Sequence, residues 1–530
     1  MRTSTEATAP PGNQTPPAAP ETMNHREVLE SLSGLMLVLF VAMISGTVVS
    51  TALPNILGAL NGSQAQYTWV VTATLLTATA ATPIWGKLAD LFNKKVLVQF
   101  AIVIFVIGSL LAGLAQNAGQ LIAARGFQGL GVGGLQALVQ VVIAAMIPPR
   151  ERGRYNGYLG AVMAVATVGG PLLGGVIVDT SWLGWRWCFF VGVPIAALAF
   201  IVLQKTLHLP TVRRTEVKID YLGSALIAAG VSVLLIWVSF VGNSFAWLSW
   251  QTAAMVGAGV VTLVLAVFVE SRAPEPVVPL DIVRRRTPAL AILASLAVGM
   301  AMFGGAVFLG QYFQIGRGYT PTEAGLLTIP MMFGLLVSST ITGRMITGTG
   351  RIKPFIVTGA VTLVAGFGLL ATIDHETALW FVGLGMLVVG VGVGMTMQNL
   401  VLAVQNDVPL RQLGAASATV TFFRSLGGTI GVSVLGAVLA NRVTADITDH
   451  LAQAGLPASS GGQASNLNLN ALPEAFQHIV RAAYGDATGH IFLISAAIGI
   501  IGIVAALFLK PVTLRKSIDL STEPEPAPQR

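Results

Sequence analysis

Ten residues, GKLADLFNKK from Gly86 to Lys95, decide how this chain is read. They join two apolar runs, about 67 to 86 and 96 to 115, each close to the roughly 20 residues that cross a bilayer core. A related stretch, GRMITGTGRIK from Gly343 to Lys353, ends another such run, and Gly343 lies 257 residues after Gly86. A second pair nearly keeps that offset. VGGPLLGG contains Gly169, Gly170, Pro171, Gly174 and Gly175, while LGGTIG contains Gly427, Gly428 and Gly431, and Gly427 lies 258 residues after Gly169. Gly-rich membrane helices resemble one another by composition, but chance does not hold one offset at corresponding positions of two apolar runs. Internal symmetry of this kind is a trace of transporter folds.

Composition agrees. The chain has 530 residues, 54% hydrophobic and 10% charged, against about 25% charged in soluble domains. So few charges could not solvate the surface of several soluble domains, which excludes a soluble enzyme or one with a single anchor. The 59 glycines show no collagen period and suit closely packed membrane helices. Cys188 is the single cysteine, so no internal disulfide or CxxC framework exists. Fourteen apolar runs can be counted, at about 34–57, 67–86, 96–115, 119–147, 155–178, 186–205, 220–241, 251–270, 289–314, 323–346, 354–373, 377–405, 414–440 and 488–510. The offset pairs the second with the tenth and the fifth with the thirteenth, giving six spans, two inserted spans and six more.

Charge placement tests this count separately, because Lys and Arg gather in short cytoplasmic loops. With the N-terminus inside, 24 of the 30 basic residues fall inside, among them Lys87, Lys94, Lys95, Arg150, Arg152, Arg154, Arg213, Arg214 and Arg284 to Arg286. Arg186, Arg317, Arg442 and Arg481 fall outside, and Arg125 and Arg424 stay within spans. The net charge of +7 thus reflects orientation in a bilayer, and nucleic-acid binding loses its support. The expected divisions are a disordered cytoplasmic tail at 1–33, a six-helix bundle at 34–205, two inserted helices at 206–288, a second bundle at 289–510 with an extracytoplasmic loop at 441–487, and a cytoplasmic tail at 511–530. Residues 1–33 are rich in Thr, Pro, Ala and Glu without an apolar period.

Three further stretches carry chemistry. LIAARGFQGLGVGG, Leu121 to Gly134, places Arg125 in the fourth span, and TFFRSLGGTIG, Thr421 to Gly431, places Arg424 in the thirteenth. A charge there costs at least about 2.5–3.5 kcal/mol on insertion scales, so it must face a cavity or a partner, or snorkel to the boundary. YFQIGRGYTPTEAGLLTIP, Tyr312 to Pro330, reads as a turn with a helix starting near Thr322 or Glu323.

Taken together, these stretches resemble the major facilitator superfamily and, within it, the fourteen-span drug:proton antiporter family of multidrug efflux pumps. The resemblance covers about residues 34 to 510 and implies an all-α major facilitator fold arranged as six, two and six helices. It makes Gly86, Asp90, Lys94 and Lys95 a gating latch, assigns Arg125 to proton transfer, and makes the span-five Gly-Pro motif an antiporter hinge. Arg424 joins the coupling candidates as a second buried charge. Two departures stand out. Asn93 occupies a usual Gly position, where Asn suits a positive φ. In ISGTVVSTALP, Ile44 to Pro54, Ser45 stands where relatives usually carry Asp. No carboxylate lies mid-span; Asp90, Asp179, Asp220, Glu323, Asp407 and His490 are the remaining proton-binding candidates.

A cavity between the halves would be walled by Ser45, Trp69, Met300, Phe303, Gln311, Tyr312, Gln398 and Asn399, with adaptable Met and aromatic surfaces suited to lipophilic molecules. The expected activity is export of hydrophobic or cationic drugs, dyes or biocides by proton antiport and alternating access at the cell membrane. Export of one endogenous metabolite, siderophore, self-made antibiotic or lipid stays open. Small lipophilic substrates, protons and membrane lipid are the expected partners of a monomer. No enzyme activity, cofactor or metal is expected, and no GxxxxGK[ST] stretch supports ATP drive.

Overall fold

The computed structural model describes residues 25–60, 64–180, 182–207, 209, 220–241, 245–273, 276–409, 412–453, 474–511 and 513–515. Its helices are α1 (His25–Ala59), α2 (Gln64–Leu91), α3 (Lys94–Gly113), α4 (Ala118–Met146), α5 (Pro149–Asp179), α6 (Trp187–Phe190), α7 (Gly192–Thr206), α8 (Tyr221–Phe240), α9 (Trp250–Glu270), α10 (Leu280–Arg284), α11 (Arg286–Gln311), α12 (Pro321–Leu327), α13 (Ile329–Thr349), α14 (Lys353–Leu370), α15 (Leu379–Asp407), α16 (Leu413–Gln453) and α17 (Glu474–Leu507). A π-helical turn, Tyr312–Gly316, extends α11. The fold is all-α: the described residues contain only two isolated β-bridges.

Thirteen helical stretches among the described residues are long and apolar enough to cross a membrane. Helix α2 is not among them. Its six threonines dilute its apolarity, yet hydroxyls such as those of Thr77 and Thr82 donate to the carbonyls of Ala73 and Ala78 one turn back, so the helix satisfies its own polar groups.

Helix packing repeats along the chain. In the first part α2 and α3 both pack on α4, and α1 packs on α5 and α7; in the second α13 and α14 pack on α15, and α11 packs on α16 and α17. Two contacts join the parts reciprocally, α2 with α16 and α5 with α13. One large buried cluster draws on residues from Val28 to Leu207, and another chiefly on residues from Ile282 to Leu514. Helices α8 and α9 pair with each other, and α8 lies against α2 and α16.

Two terminal expectations change. Residues 25–33 of the expected tail are helical. Glu27 lies in the first turn of α1, where a carboxylate complements the macrodipole, and Val28 and Leu32, one turn apart, are buried. The expected loop at 441–487 is helical at both ends: Val443 and Ile447 on α16 pack with Val480, Ala483 and Ala487 on α17. These apolar positions at helical spacing were obscured by the polar run after them, whose residues 454–473 lie outside the described region, as do residues 1–24 and 516–530.

Candidate functional site

Most polar contacts between the two repeats gather at the end carrying Lys87, Lys94, Arg150 and Arg152, here the basic end. Gly86 makes the first junction possible. A Cβ at that position would come within 2.7 Å of the Gly414 carbonyl and overlap Ala418, so only a glycine lets α2 cross α16 this closely. One turn further, Asp90 caps α16: its Oδ1 accepts from the Gly414 amide at 2.7 Å and its Oδ2 from the Ala415 amide at 2.8 Å. The first amides of a helix lack intrahelical partners and carry its positive pole, so a carboxylate satisfies both needs. Asp90 lies past the apolar span. Burial nevertheless pushes its carboxyl up from 3.8 to about 7, against the pull of the two amides and of Lys94 and Lys87.

Lys95 does not join Asp90; its Nζ donates to the Gln204 carbonyl at 2.7 Å. Asn93 corrects the positive-φ expectation. It has φ −63° and serves as N-cap of α3, its side chain accepting from the Lys95 amide.

The second junction repeats the backbone crossing. A Cβ on Gly343 would lie 2.6 Å from the Gly153 carbonyl carbon. Here Arg150 supplies the polar contact, donating from Nε to the Thr347 carbonyl at 3.0 Å and from Nη2 to the Gly348 carbonyl at 2.8 Å, at the C-terminus of α13. The C-terminal segment crosses the same place: the Arg150 amide donates to the Arg515 carbonyl, and the Leu514 amide to the Gly350 carbonyl.

Sequence reasoning missed Arg152, which looked like one more loop cation. It is 4% exposed. Its guanidinium donates to the Ile147 and Ala144 carbonyls at 2.7 and 2.6 Å and to Gln405 Oε1 at 2.7 Å, reaching α15 from the opposite repeat. Gln405 donates onward to Ser417 on α16. Gln140 was also missed. Its Nε2 donates to Gln398 Oε1 at 3.1 Å, and the separation of 258 residues is the repeat offset itself. Residues equivalent by an internal two-fold can touch only near its axis, so this pair marks the centre line between the repeats. Beside it Gln398 lines a narrow crevice with Gly160, Met163, Leu335, Ser339, Val393, Gly394 and Met397.

Arg125 is buried rather than snorkelling: it is 3% exposed, its Nη1 donates to Gln128 Oε1 at 2.6 Å, and Gln128 donates to Ser109. Arg424 is 7% exposed on α16. Arg125 Nε and Arg424 Nη1 are buried with no hydrogen-bond partner.

Other candidates are dispersed. Ser45 is buried and donates to the Ala42 carbonyl of its own helix. Trp69 packs against Phe240 of α8, the rings tilted by 34° with centroids 4.9 Å apart. The backbones of Met300 and Arg424 meet Gly431 and Gly299 where α11 crosses α16, and Phe303 packs beside Gly428. Gln311 ends α11 and is half-buried. Tyr312 is fully buried and donates to the Asp374 carbonyl, which makes it part of an end cap. Its motif is completed by Arg317, bonded to the His375 and Thr377 carbonyls, and by a Thr320–Glu323 capping box. Asn399 is buried and bonded to the Met395 carbonyl. In the Gly-Pro motif, Gly170 and Gly174 rest on Thr47 and Val48 of α1, Pro171 and Gly175 approach Gly325 and Thr322 of the other repeat, and Gly169 faces open space. Glu270, another residue not foreseen, is 3% exposed and accepts from the Val277 and Val278 amides.

Residues 35–432 match the family description Major Facilitator Superfamily. The chain belongs to the major facilitator superfamily. It is 33% identical to the multidrug transporter protein MdtP of Bacillus subtilis, over 91% of this chain and 93% of that protein. It is 34% identical to the efflux pump dotC of Dothistroma septosporum, over 91% and 84%. Among solved structures, the proton:xylose symporter XylE superposes with a TM-score of 0.57 at 16% identity over 93% of this chain and 98% of that one, and the human organic anion transporter MFSD10 with 0.59 at 12% over 89% and 99%. This major facilitator protein is therefore a multi-pass membrane transporter and not an enzyme, with multidrug efflux proteins among its relatives.

Proposed function

We propose that this transporter exports hydrophobic drugs, dyes or biocides across the cytoplasmic membrane by proton antiport, the two repeats rocking about their shared axis. In this reading it acts as a monomer of fourteen spans in six, two and six, with repeats at 34–205 and 289–510 and inserted helices between them. The basic end and both termini face the cytoplasm. The observation that carries the reading is the Asp90 cap on α16, a contact between repeats that must break whenever the basic end opens. The glycine crossings and the Arg150 contact would break with it.

Proton coupling is assigned to Asp90 by elimination. Asp220 caps α8 through the Gly223 amide, Glu323 is committed to its capping box, Asp407 ends α15 and His490 is exposed. The Asp179 side chain lies outside the described residues. Among the described candidates, Asp90 combines a junction between the repeats with a carboxyl that burial raises toward neutrality. Arg125, Lys94 and Arg424 would set the field around the moving parts, and Lys95 would anchor α3 to α7.

Proteoliposomes with an imposed pH gradient test this. Dye export driven by the gradient, collapsed by a protonophore and lost in Asp90→Ala, is the expected result. Gradient-independent export would overturn antiport, and no export across a broad panel of drugs and dyes would overturn efflux.

A further inference from the structure

We propose that the Gln140–Gln398 pair and the crevice beside it form the recognition site, and that this site selects neutral lipophilic molecules bearing a hydrogen-bonding amide, carbonyl or hydroxyl over lipophilic cations. The assignment rests on the export reading above and specifies its substrate class.

Three observations carry it. The first is position. Gln140 on α4 and Gln398 on α15 are separated by the repeat offset and touch, so they sit on the axis about which two repeats would rock. A ligand there meets both repeats at once, as alternating access requires. The second is the chemistry of the lining. Beside Gln398 the crevice is walled by Met163, Met397, Leu335 and Val393, with Ser339 as its other polar side chain. A primary amide has two N–H donors and a carbonyl acceptor. The single Gln140–Gln398 bond leaves a donor and an acceptor for a ligand whichever way the amides are turned. In this structure the crevice is nearly closed, with room for about one water molecule, so a ligand would enter it as the repeats separate.

The third observation is the sign of the buried charge. Arg125 and Arg424 are buried within the spans, each with a nitrogen that has no partner. Arg424 lies 11 residues into α16, about 16 Å along the helix. Among the described residues, the buried and half-buried carboxylates are Asp90 closing α2, Asp220 capping α8, Glu270 ending α9 and Asp407 ending α15, with Asp446 and Asp486 in the stretch beyond the Arg424 region where α16 and α17 pair. Ser45 of α1 is buried and neutral, its hydroxyl bonded within its own helix. Charges in a low-dielectric interior act over longer distances than in water. A cation at the centre line would therefore meet a field of its own sign with no carboxylate to offset it.

The test compares chloramphenicol, neutral with amide and hydroxyl groups, with the cation tetraphenylphosphonium. Both are measured by export from proteoliposomes and by equilibrium binding to the purified full-length protein. Wild type should bind and export chloramphenicol and discriminate against tetraphenylphosphonium. Gln140→Leu and Gln398→Leu should each weaken chloramphenicol binding about 10-fold, the loss of roughly one hydrogen bond. The double variant should fall within about 3-fold of either single one, because the residues act as a pair. Gln398→Glu, which keeps the size and the acceptor, should admit tetraphenylphosphonium, and it decides the matter if a leucine variant does not fold. Glutamine-dependent chloramphenicol binding without export would sink the efflux reading and leave the site standing. Equal handling of both probes by wild type, chloramphenicol binding indifferent to both glutamines, or no chloramphenicol binding at all would overturn the site.

Discussion

At the α2–α16 junction a carboxylate meets the N-terminus of a helix; at the α5–α13 junction a guanidinium meets the C-terminus of one. Both sit on the same glycine crossing, Gly86 on the backbone of Gly414 and Gly343 on that of Gly153. Each charge complements the pole it faces. The chemistry has nonetheless diverged: the position 257 residues after Asp90 is Thr347 (90 + 257), and its carbonyl is what Arg150 grips. Internal duplication thus kept the backbone geometry that lets two helices cross and let the polar contact change. Among the described residues of the two junctions, the Asp90 side carries the carboxyl that burial raises toward neutrality. The Arg150 side gains a further tie from Leu514 and Arg515.

The largest effect should come from the element the junctions share. Gly343→Leu forces a side chain against backbone that cannot turn aside. Overpacking of this kind costs about 1–3 kcal/mol even in forgiving cores, so a loss of closure approaching roughly 100-fold is expected. Spin labels on exposed Phe92 and Thr349, in a Cys188→Ser background, would report it as a longer distance across the basic end. Gly86→Leu should do the same on the other side. A variant that keeps the wild-type distance and export would show that the crossings are not the hinge contact.

Asp90 separates the junctions next. Its carboxyl is raised when docked, so docking holds the proton more tightly than open water does. The sign follows: this contribution favours the docked form most fully below the ordinary value of 3.8 and is lost as pH rises through about 7. Moving from pH 6 to pH 8 should therefore lengthen the Phe92–Thr349 distance or broaden its distribution. Asp90→Asn should flatten that response and, by losing one of two amide bonds, shift closure about 10-fold. An unchanged pH response in Asp90→Asn would move proton sensing elsewhere.

How much of this was legible depends on what kind of signal the residues leave. Glycines that crowd a crossing must be glycines, so Gly86 and Gly343 were visible at their offset, as were the buried charges Arg125 and Arg424. The helical caps hid better. Val443 and Ile447 keep an apolar spacing, but the Ser- and Asn-rich run beyond them draws the whole stretch into a loop reading. Arg152 was masked by its neighbours, because a loop cation and a buried cross-repeat bridge have the same letter. Gln140 left a usable trace: 140 plus 258 is 398, and matching amides as well as glycines and charges at that offset would have found the pair. Lys95 reaches α7 and Trp69 reaches α8, because sequence proximity to a motif does not fix which neighbouring helix a side chain meets.

Arg150 should give the smallest effect and the sharpest contrast with Asp90. One of its two carbonyl contacts is partly buried and the other exposed, and a solvated charge at a helix C-terminus contributes about 0.3–1 kcal/mol. Arg150→Gln should therefore shift closure by less than about 5-fold and leave the difference between pH 6 and pH 8 intact, because the titrating group is still in place on the other side. Combined with Asp90→Asn, it should add its small shift without restoring any pH response. The two junctions close the same end, so weakening one loads the other without changing which of them binds the proton. A pH response abolished by Arg150→Gln alone would mean that the charge at α13, and not the carboxyl at α16, sets the protonation of this end.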